Sequence, residues 1–281
     1  MQSGYRGRLA PSPTGFLHVG HARTFWMAQQ RAVSAGGTLV LRNEDLDPGR
    51  SRPEFVAAMF EDLRWFGLRW QEGPDCGGPF APYSQSERRN FHAQSFERLK
   101  ARGRVYRCHC SRQDVLRALQ APHAGEEEPI YPGTCRPPLS SGSSKNQADG
   151  SKLVNWRFRV PDNDIVDFED GCFGKQRFVA GKDFGDFVVW RHDGVPSYQL
   201  AAVADDAAMQ ITEVVRGADL FLSTARQLLL YRSLDLQPPA FYHCPLVTDK
   251  TGRRLAKRDA ASSLRALRKE GYTPEAIRKT W

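Results

Sequence analysis

Arg8-Leu9-Ala10-Pro11-Ser12-Pro13-Thr14-Gly15-Phe16-Leu17-His18-Val19-Gly20-His21 is the stretch on which the fold turns. The run before it, Tyr5 to Ala10, alternates in part and reads as a strand, which Pro-Ser-Pro-Thr-Gly breaks into a loop. From about His18 to Ala35 the pattern is helical, and Gly36-Gly37 stops it. Thr38-Leu39-Val40-Leu41-Arg42 follows, apolar and β-rich, as a buried strand. Strand, helix and strand in such short compass make a βαβ unit. The chain therefore opens as a parallel α/β nucleotide-binding fold.

Working outward, two amphipathic helices are expected at about Arg52 to Gly67 and Glu87 to Gly103, each closed by glycine. Leu116 to Ser151 differs. It holds prolines, Glu126-Glu127-Glu128 and Ser140-Ser141-Gly142-Ser143-Ser144, with few large apolar residues after Tyr131, so 138–151 reads as a mobile linker. From Leu153 the pattern turns to strands, at Trp156 to Val160, Phe184 to Trp190, Tyr198 to Asp205 and Ile211 to Arg216. It returns to helices at Ser223 to Leu234 and Ala260 to Glu270. The expected organisation is a first catalytic half over 1–103, an inserted subdomain over 104–185, a second catalytic half over 186–245, and a loop with a short helical segment over 246–281.

With 281 residues and 40% hydrophobic content the chain can bury a sizeable core. No run approaches the eighteen apolar residues of a membrane span, and polar, basic Met1 to Arg8 has no apolar stretch behind it, so a cytoplasmic location is expected. The net charge of +8 favours a polyanionic partner, and from Lys250 onward ten Lys or Arg stand against three acids.

The opening motif has chemical content of its own. A helix N-terminus offers free N–H groups and the positive end of a dipole, which suits a triphosphate. His18 and His21, three apart, share a face there and can both donate to phosphate oxygens. Gly20 removes a Cβ where a purine would approach closely. Leu41-Arg42-Asn43-Glu44-Asp45-Leu46-Asp47 sets carboxylates at the end of the second strand, where open α/β sheets place ligand contacts; Asp45 and Asp47 are alternatively caps for the next helix. Arg8 and Arg216 are cations suited to bidentate capture of a carboxylate.

Cys108-His109-Cys110 and Tyr131-Pro132-Gly133-Thr134-Cys135 form the one cysteine cluster. Residues i and i+2 of a strand face the same side, so two thiolates can grip one ion while Cys135 returns after a loop. Zinc wants a fourth ligand, for which His109 or water is a chemical alternative. Cys76, Cys172 and Cys244 are expected to be structural.

The full string from Arg8 to His21, placed after the first strand, resembles the HIGH signature of class I aminoacyl-tRNA synthetases in its glutamyl version. That resemblance implies a Rossmann-type catalytic domain carrying an inserted zinc-binding, acceptor-type subdomain, and a second, KMSKS-type signature near the far end. Arg254-Leu255-Ala256-Lys257-Arg258 falls there, keeping the second lysine but with Arg254 and Ala256 in place of lysine and serine. The resemblance further implies that Pro11, Thr14, Gly15, His18, Gly20, His21 and residues 254–258 bind ATP with Mg2+, with His18, His21 and Lys257 serving the chemistry. It implies that Arg8, Ala10, Ser12, Glu44, Tyr198 and Arg216 bind glutamate, Glu44 taking the ammonium. Tyr131 becomes the expected fourth ligand of a structural zinc held by Cys108, Cys110 and Cys135.

The sequence ends soon after the 250s loop, where a full glutamyl-tRNA synthetase continues into an anticodon-reading domain. In this it resembles the short glutamyl-Q tRNA(Asp) synthetases, which pass glutamate to the queuosine base in the anticodon of tRNA(Asp). That resemblance implies glutamate, ATP and queuosine-bearing tRNA(Asp) as partners, with the chain acting as a monomer. A conventional glutamyl-tRNA synthetase core charging the 3′ end of tRNA(Glu), and a tRNA-binding module without catalysis, are the alternatives.

Overall fold

The computed structural model describes residues 4–111, 113–114, 130–138, 154–247 and 263–281. Strand β1 (Arg6–Leu9), helix α1 (Val19–Ser34) and strand β2 (Thr38–Leu41) form the expected parallel βαβ unit, with Arg8 opposite Val40 and Leu9 opposite Leu41. Val19, Ala22, Phe25, Ala28 and Ala32 face inward at helical spacing. Gly37 leads from α1 into β2 at a point where only glycine fits, because a Cβ there would stand 2.4 Å from the Tyr5 carbonyl oxygen.

Helices α2 (Pro53–Trp65) and α3 (Arg89–Ala101) lie within the ranges expected for them. Strands β3 (Val105–Cys108), β4 (Asn155–Phe158) and β7 (Phe187–Trp190) make a separate antiparallel sheet in the order β3-β4-β7. Between β4 and β7 the chain forms a hairpin, β5 (Ile165–Asp170) and β6 (Gly174–Val179). This hairpin joins the other sheet. Asp170 at its tip pairs in parallel with Phe241 of β9 (Ala240–Cys244), which in turn pairs in parallel along β8 (Glu213–Gly217).

Tyr198 to Asp205 is not a strand but the body of helix α4 (Tyr198–Ala208). Ser197 caps it, its hydroxyl accepting the Leu200 N–H at 3.4 Å. Every residue from Leu200 to Asp206 is buried, so no polar stripe marks the helical period. Alanine content was the signal that favoured helix. Helix α5 (Phe221–Leu234) lies between β8 and β9, and two short helices, α6 (Leu264–Lys269) and α7 (Pro274–Arg278), complete the described chain. The Ala260 to Glu270 helix thus begins later than expected, with residues 260–262 outside the described set.

β1 lies against the start of β8: the Thr212 N–H donates to the Arg6 carbonyl at 2.9 Å and the Arg6 N–H to Thr212 Oγ1 at 2.8 Å. From β1 the chain crosses by α1 to β2; from β8 it crosses by α5 to β9. Succession runs outward in both directions, so the crevice between the C-terminal ends of β1 and β8 is a topological switch point. Strand alternation feeds two cores. Leu9, Leu39 and Leu41 pack with α1, α2 and α6, whereas Val40 packs with α4 and α5. Among the described residues no helix is long and apolar enough to cross a membrane.

Candidate active site

A cleft of about 580 Å3 opens at the switch point. Its walls include ten of the residues expected there: Arg8, Ala10, Pro11, Ser12, His18, Gly20, His21, Glu44, Tyr198 and Arg216. Thr14 and Gly15 belong to the same loop but not to the walls. Gly217, Asp219 and Leu246 line the cleft as well and were not anticipated, although Gly217 and Asp219 directly follow Arg216. Arg254, Leu255, Ala256, Lys257 and Arg258 lie outside the described residues, as does most of the 138–151 segment. The chain on either side of the 250s loop does reach the site, for Val247 lines the cleft and Ser263 bridges to His18.

His18 caps α1 through its ring. Its Nδ1 accepts the Gly20 N–H at 3.1 Å, and His21 Nδ1 accepts the His18 N–H at 3.3 Å. Each ring nitrogen used as an acceptor leaves the proton on Nε2, so both neutral imidazoles carry Nε2–H donors. The two ring centroids are 3.8 Å apart, with the planes tilted by 34°. Gly20 serves this cap directly, since a Cβ there would stand 2.9 Å from His18 Cε1.

Past the ends of β1 and β2 the two strands stay joined, the Arg42 N–H donating to the Leu9 carbonyl at 2.8 Å and the Glu44 N–H to the Pro11 carbonyl at 3.0 Å. Glu44 is thereby brought to Ser12, whose hydroxyl lies 3.5 Å from Oε2. Asp45 and Asp47 do not cap α2. Asp45 accepts from Ser86, Asp47 from Gly49, Arg50 and Arg191, and Arg52 stands at the helix start with no side-chain cap.

Beneath the walls lies a buried set of charges that the sequence did not disclose. Arg42, fully buried, donates to Asp206 Oδ1 at 2.6 Å and to Glu44 Oε1 at 3.0 Å. Arg8 Nε stands 3.6 Å from the same Asp206 oxygen, while its Nη1 donates to the Val215 carbonyl. Asp205 is committed elsewhere, to Arg88 at 2.7 Å and His92 at 3.0 Å. Burial works against the Asp205 charge, but His92, Arg42 and Arg88 outweigh it and hold the carboxyl at about 2.

Arg216 differs from the other two arginines. It is 4% exposed, yet it has no carboxylate within ion-pairing distance among the described residues. Its Nη1 donates to Gln227 Oε1 at 2.8 Å and its Nη2 to Thr224 Oγ1 at 2.6 Å. Burial lowers its proton affinity and the neighbouring Tyr198 favours its charge. Three guanidinium groups thus face two carboxylates. Of the three, only Arg216 has no carboxylate against it among the described residues, so it is the guanidinium placed to meet an anionic group that enters the cleft. Glu44 supplies the complementary site for a cation, and burial pushes its carboxyl up against the pull of Arg42 and Arg8.

The cysteine cluster assembles on the β3 side. The sulfurs of Cys108, Cys110 and Cys135 all lie within 4.8 Å of one another, and Tyr131 Oη stands 3.5 Å from Cys108 Sγ and 3.6 Å from Cys110 Sγ. Tetrahedral zinc with thiolate ligands sets sulfurs ~3.8 Å apart, and Cys110 and Cys135 are at 3.6 Å. Three soft donors and a phenol oxygen around one point fit a structural zinc ion. His109 is exposed and contributes no nitrogen to the group. Arg157 donates to Cys108 Sγ at 3.2 Å and lies over the Tyr131 ring at 3.8 Å.

Residues 5–280 match the family model for the catalytic domain of class I tRNA synthetases (E and Q). The chain is 49% identical to a protein of Symbiobacterium thermophilum named glutamyl-Q tRNA(Asp) synthetase, over 96% of this chain and 83% of that one. To a glutamate–tRNA ligase of Acidithiobacillus ferrooxidans it is 41% identical, covering 97% of this chain and 56% of the ligase. Among solved structures, the glutamate-tRNA synthetase of Elizabethkingia anophelis superposes with a TM-score of 0.83 at 30% identity, over 98% of this chain and 60% of that one.

Proposed function

Because this chain belongs to the class I tRNA synthetases of the E and Q type, a family of ligases, we propose that it activates L-glutamate with ATP and passes it to the queuosine base in the anticodon of tRNA(Asp). The observation that carries the first half is Arg216, a buried guanidinium with no carboxylate within ion-pairing distance among the described residues, in one cleft with Glu44. Glutamate brings two carboxylates and an ammonium. Arg216 and Arg8 hold one carboxylate, Glu44 takes the ammonium, and the second carboxylate is left facing the α1 N-terminus, where ATP phosphates sit on the His18 and His21 rings at the positive end of the helix dipole.

The chemistry asks for alignment more than for proton transfer. The free carboxylate is already a nucleophile; its oxygen bonds the α-phosphorus while the bond to pyrophosphate breaks. Charge builds on the leaving phosphates, where His18, His21 and Lys257 neutralise it; Mg2+ bound with ATP would share that charge. In the second step a hydroxyl of the acceptor attacks the acyl carbonyl, and AMP leaves with the proton on its phosphate. No side chain is required as a general base. The zinc ion, held by Cys108, Cys110, Cys135 and Tyr131, would brace the β3 side of the fold and takes no part in the chemistry.

The acceptor rests on the relatives. The relative bearing the glutamyl-Q name is matched over 83% of its length at 49% identity, against 56% at 41% for the glutamate ligase. Charging assays with labelled glutamate on tRNA(Asp) with and without queuosine test it. Label is expected on the queuosine-bearing tRNA alone; equal labelling of both, or charging of tRNA(Glu) at its 3′ end, would favour the conventional synthetase instead.

A further inference from the structure

Arg216 does not hold its position unaided. Behind it, away from the cleft, stand three buried polar side chains: Thr224 and His243 are fully buried and Asp170 is 2% exposed. Thr224 Oγ1 lies 2.9 Å from His243 Nε2, and His243 Nδ1 lies 2.6 Å from Asp170 Oδ2. They come from three separate elements, Thr224 from α5, His243 from β9 and Asp170 from the hairpin strand β5 that pairs with β9.

We propose that Asp170, His243 and Thr224 form a one-directional hydrogen-bond relay that fixes the guanidinium plane of Arg216 against the held carboxylate of the acidic substrate. The direction follows from proton counting. A carboxylate at 2.6 Å needs a proton on Nδ1, so His243 donates there and its Nε2 is left as a lone pair. That lone pair can only accept, so the single Thr224 hydroxyl proton points to it. The Leu220 carbonyl, at 3.1 Å, is the weaker claimant. With its proton spent, Thr224 Oγ1 has only lone pairs for Arg216, and it accepts Nη2–H at 2.6 Å. Arg216 therefore donates to Thr224, Thr224 to His243, and His243 to Asp170.

Further contacts lock the parts. Asp170 is itself held, its Oδ1 accepting the N–H groups of Cys172 at 3.0 Å and Phe173 at 2.9 Å, and its Oδ2 accepting the His243 N–H at 3.1 Å. The Phe221 ring stacks on the His243 ring at 4.1 Å. Gln227, one turn beyond Thr224, accepts from Arg216 Nη1 at 2.8 Å. Burial drives His243 down to about 4, so the imidazole stays neutral at neutral pH and the proton order holds. The negative end of the chain is three hydrogen bonds from the guanidinium. It therefore offsets the burial of Arg216 without occupying the N–H groups that face the cleft.

These are positioning residues, and the role rests on the reading of Arg216 as a glutamate contact. The test compares Arg216→Ala, Thr224→Val and Thr224→Ser in ATP–pyrophosphate exchange, with KM taken separately for glutamate and ATP. Thr224→Val keeps the shape and removes the hydroxyl. It should raise the glutamate KM by about tenfold, the worth of one charged hydrogen bond, and leave the ATP KM within about twofold. Thr224→Ser should rescue. If Arg216→Ala leaves the glutamate KM alone, the glutamate reading fails. If Arg216→Ala raises it and Thr224→Val does not, only the relay fails. Nitrogen-15 NMR of the His243 imidazole in the unaltered protein gives a readout independent of any variant: the Nδ1–H tautomer is expected, and an Nε2–H tautomer overturns the relay.

Discussion

Glu44 Oε1 accepts a hydrogen bond from Arg42 Nη2 at 3.0 Å, although both side chains are buried. The pair leaves Oε2 toward Ser12 and the cleft, where an ammonium group can reach it. Glu44→Gln keeps the shape and removes the charge, so glutamate-dependent exchange should fall at least ~100-fold in kcat/KM, the cost of one buried charged contact. The same residue sets a pH dependence. Burial raises its pKa, so it takes up a proton at a higher pH than an ordinary carboxyl. The glutamate KM should rise as pH falls, with its inflection above the usual carboxylate range. A profile flat down to that range would remove Glu44 from the ammonium site.

Asp206 compensates two buried arginines at once, Arg42 at 2.6 Å and Arg8 at 3.6 Å. Asp206→Ala would leave Arg8 with no carboxylate among the described residues and Arg42 with Glu44 alone. Stability measured by denaturant unfolding should drop by about 3–5 kcal/mol, as for other broken buried pairs. A loss below about 1 kcal/mol would show that water or relaxation already compensates Arg42.

Asp62 is fully buried on α2, and neither of its oxygens accepts a hydrogen bond among the described residues; Arg265 Nε is 3.7 Å away. Burial pushes its carboxyl up from 3.8 to about 6. A raised carboxyl pKa means that the folded state binds the proton more tightly than the unfolded chain does. The benefit is complete below about 4 and lost as pH rises through about 6. Relative to Asp62→Asn, the native protein should therefore gain about 1–3 kcal/mol on going from pH 8 to pH 4. A difference independent of pH would mean that Asp62 titrates normally.

Replacing Cys108 or Cys135 by serine should reduce bound zinc, by elemental analysis of purified protein, from about one equivalent to well below half. Stoichiometric zinc retained in both variants would place the metal elsewhere.

What was legible in the sequence follows a physical divide. Breakers, periodicity and motif strings are local, and they located β1, α1 and β2 and ten wall residues of the cleft. Burial is not local. α4 reads as a strand in the sequence because a helix buried on every side shows no polar stripe, with only the Ser197 cap and its alanines to mark it. The β5–β6 hairpin went unread although Ile165 to Asp170 alternates, and so its tip could not be foreseen beside His243. Arg42, Asp206, Thr224 and His243 look ordinary in sequence. They matter because β1, β2, α4, α5, β8 and β9 converge on one switch point.

The central claim is that the cleft activates glutamate by itself. Its most direct test is ATP–pyrophosphate exchange with the purified protein and no tRNA, offered glutamate, glutamine or aspartate in turn. Exchange is expected with glutamate, far above the other two, and its loss in Glu44→Gln. No exchange with glutamate under any condition, with or without tRNA, would contradict the account and leave a protein that binds tRNA without activating an amino acid.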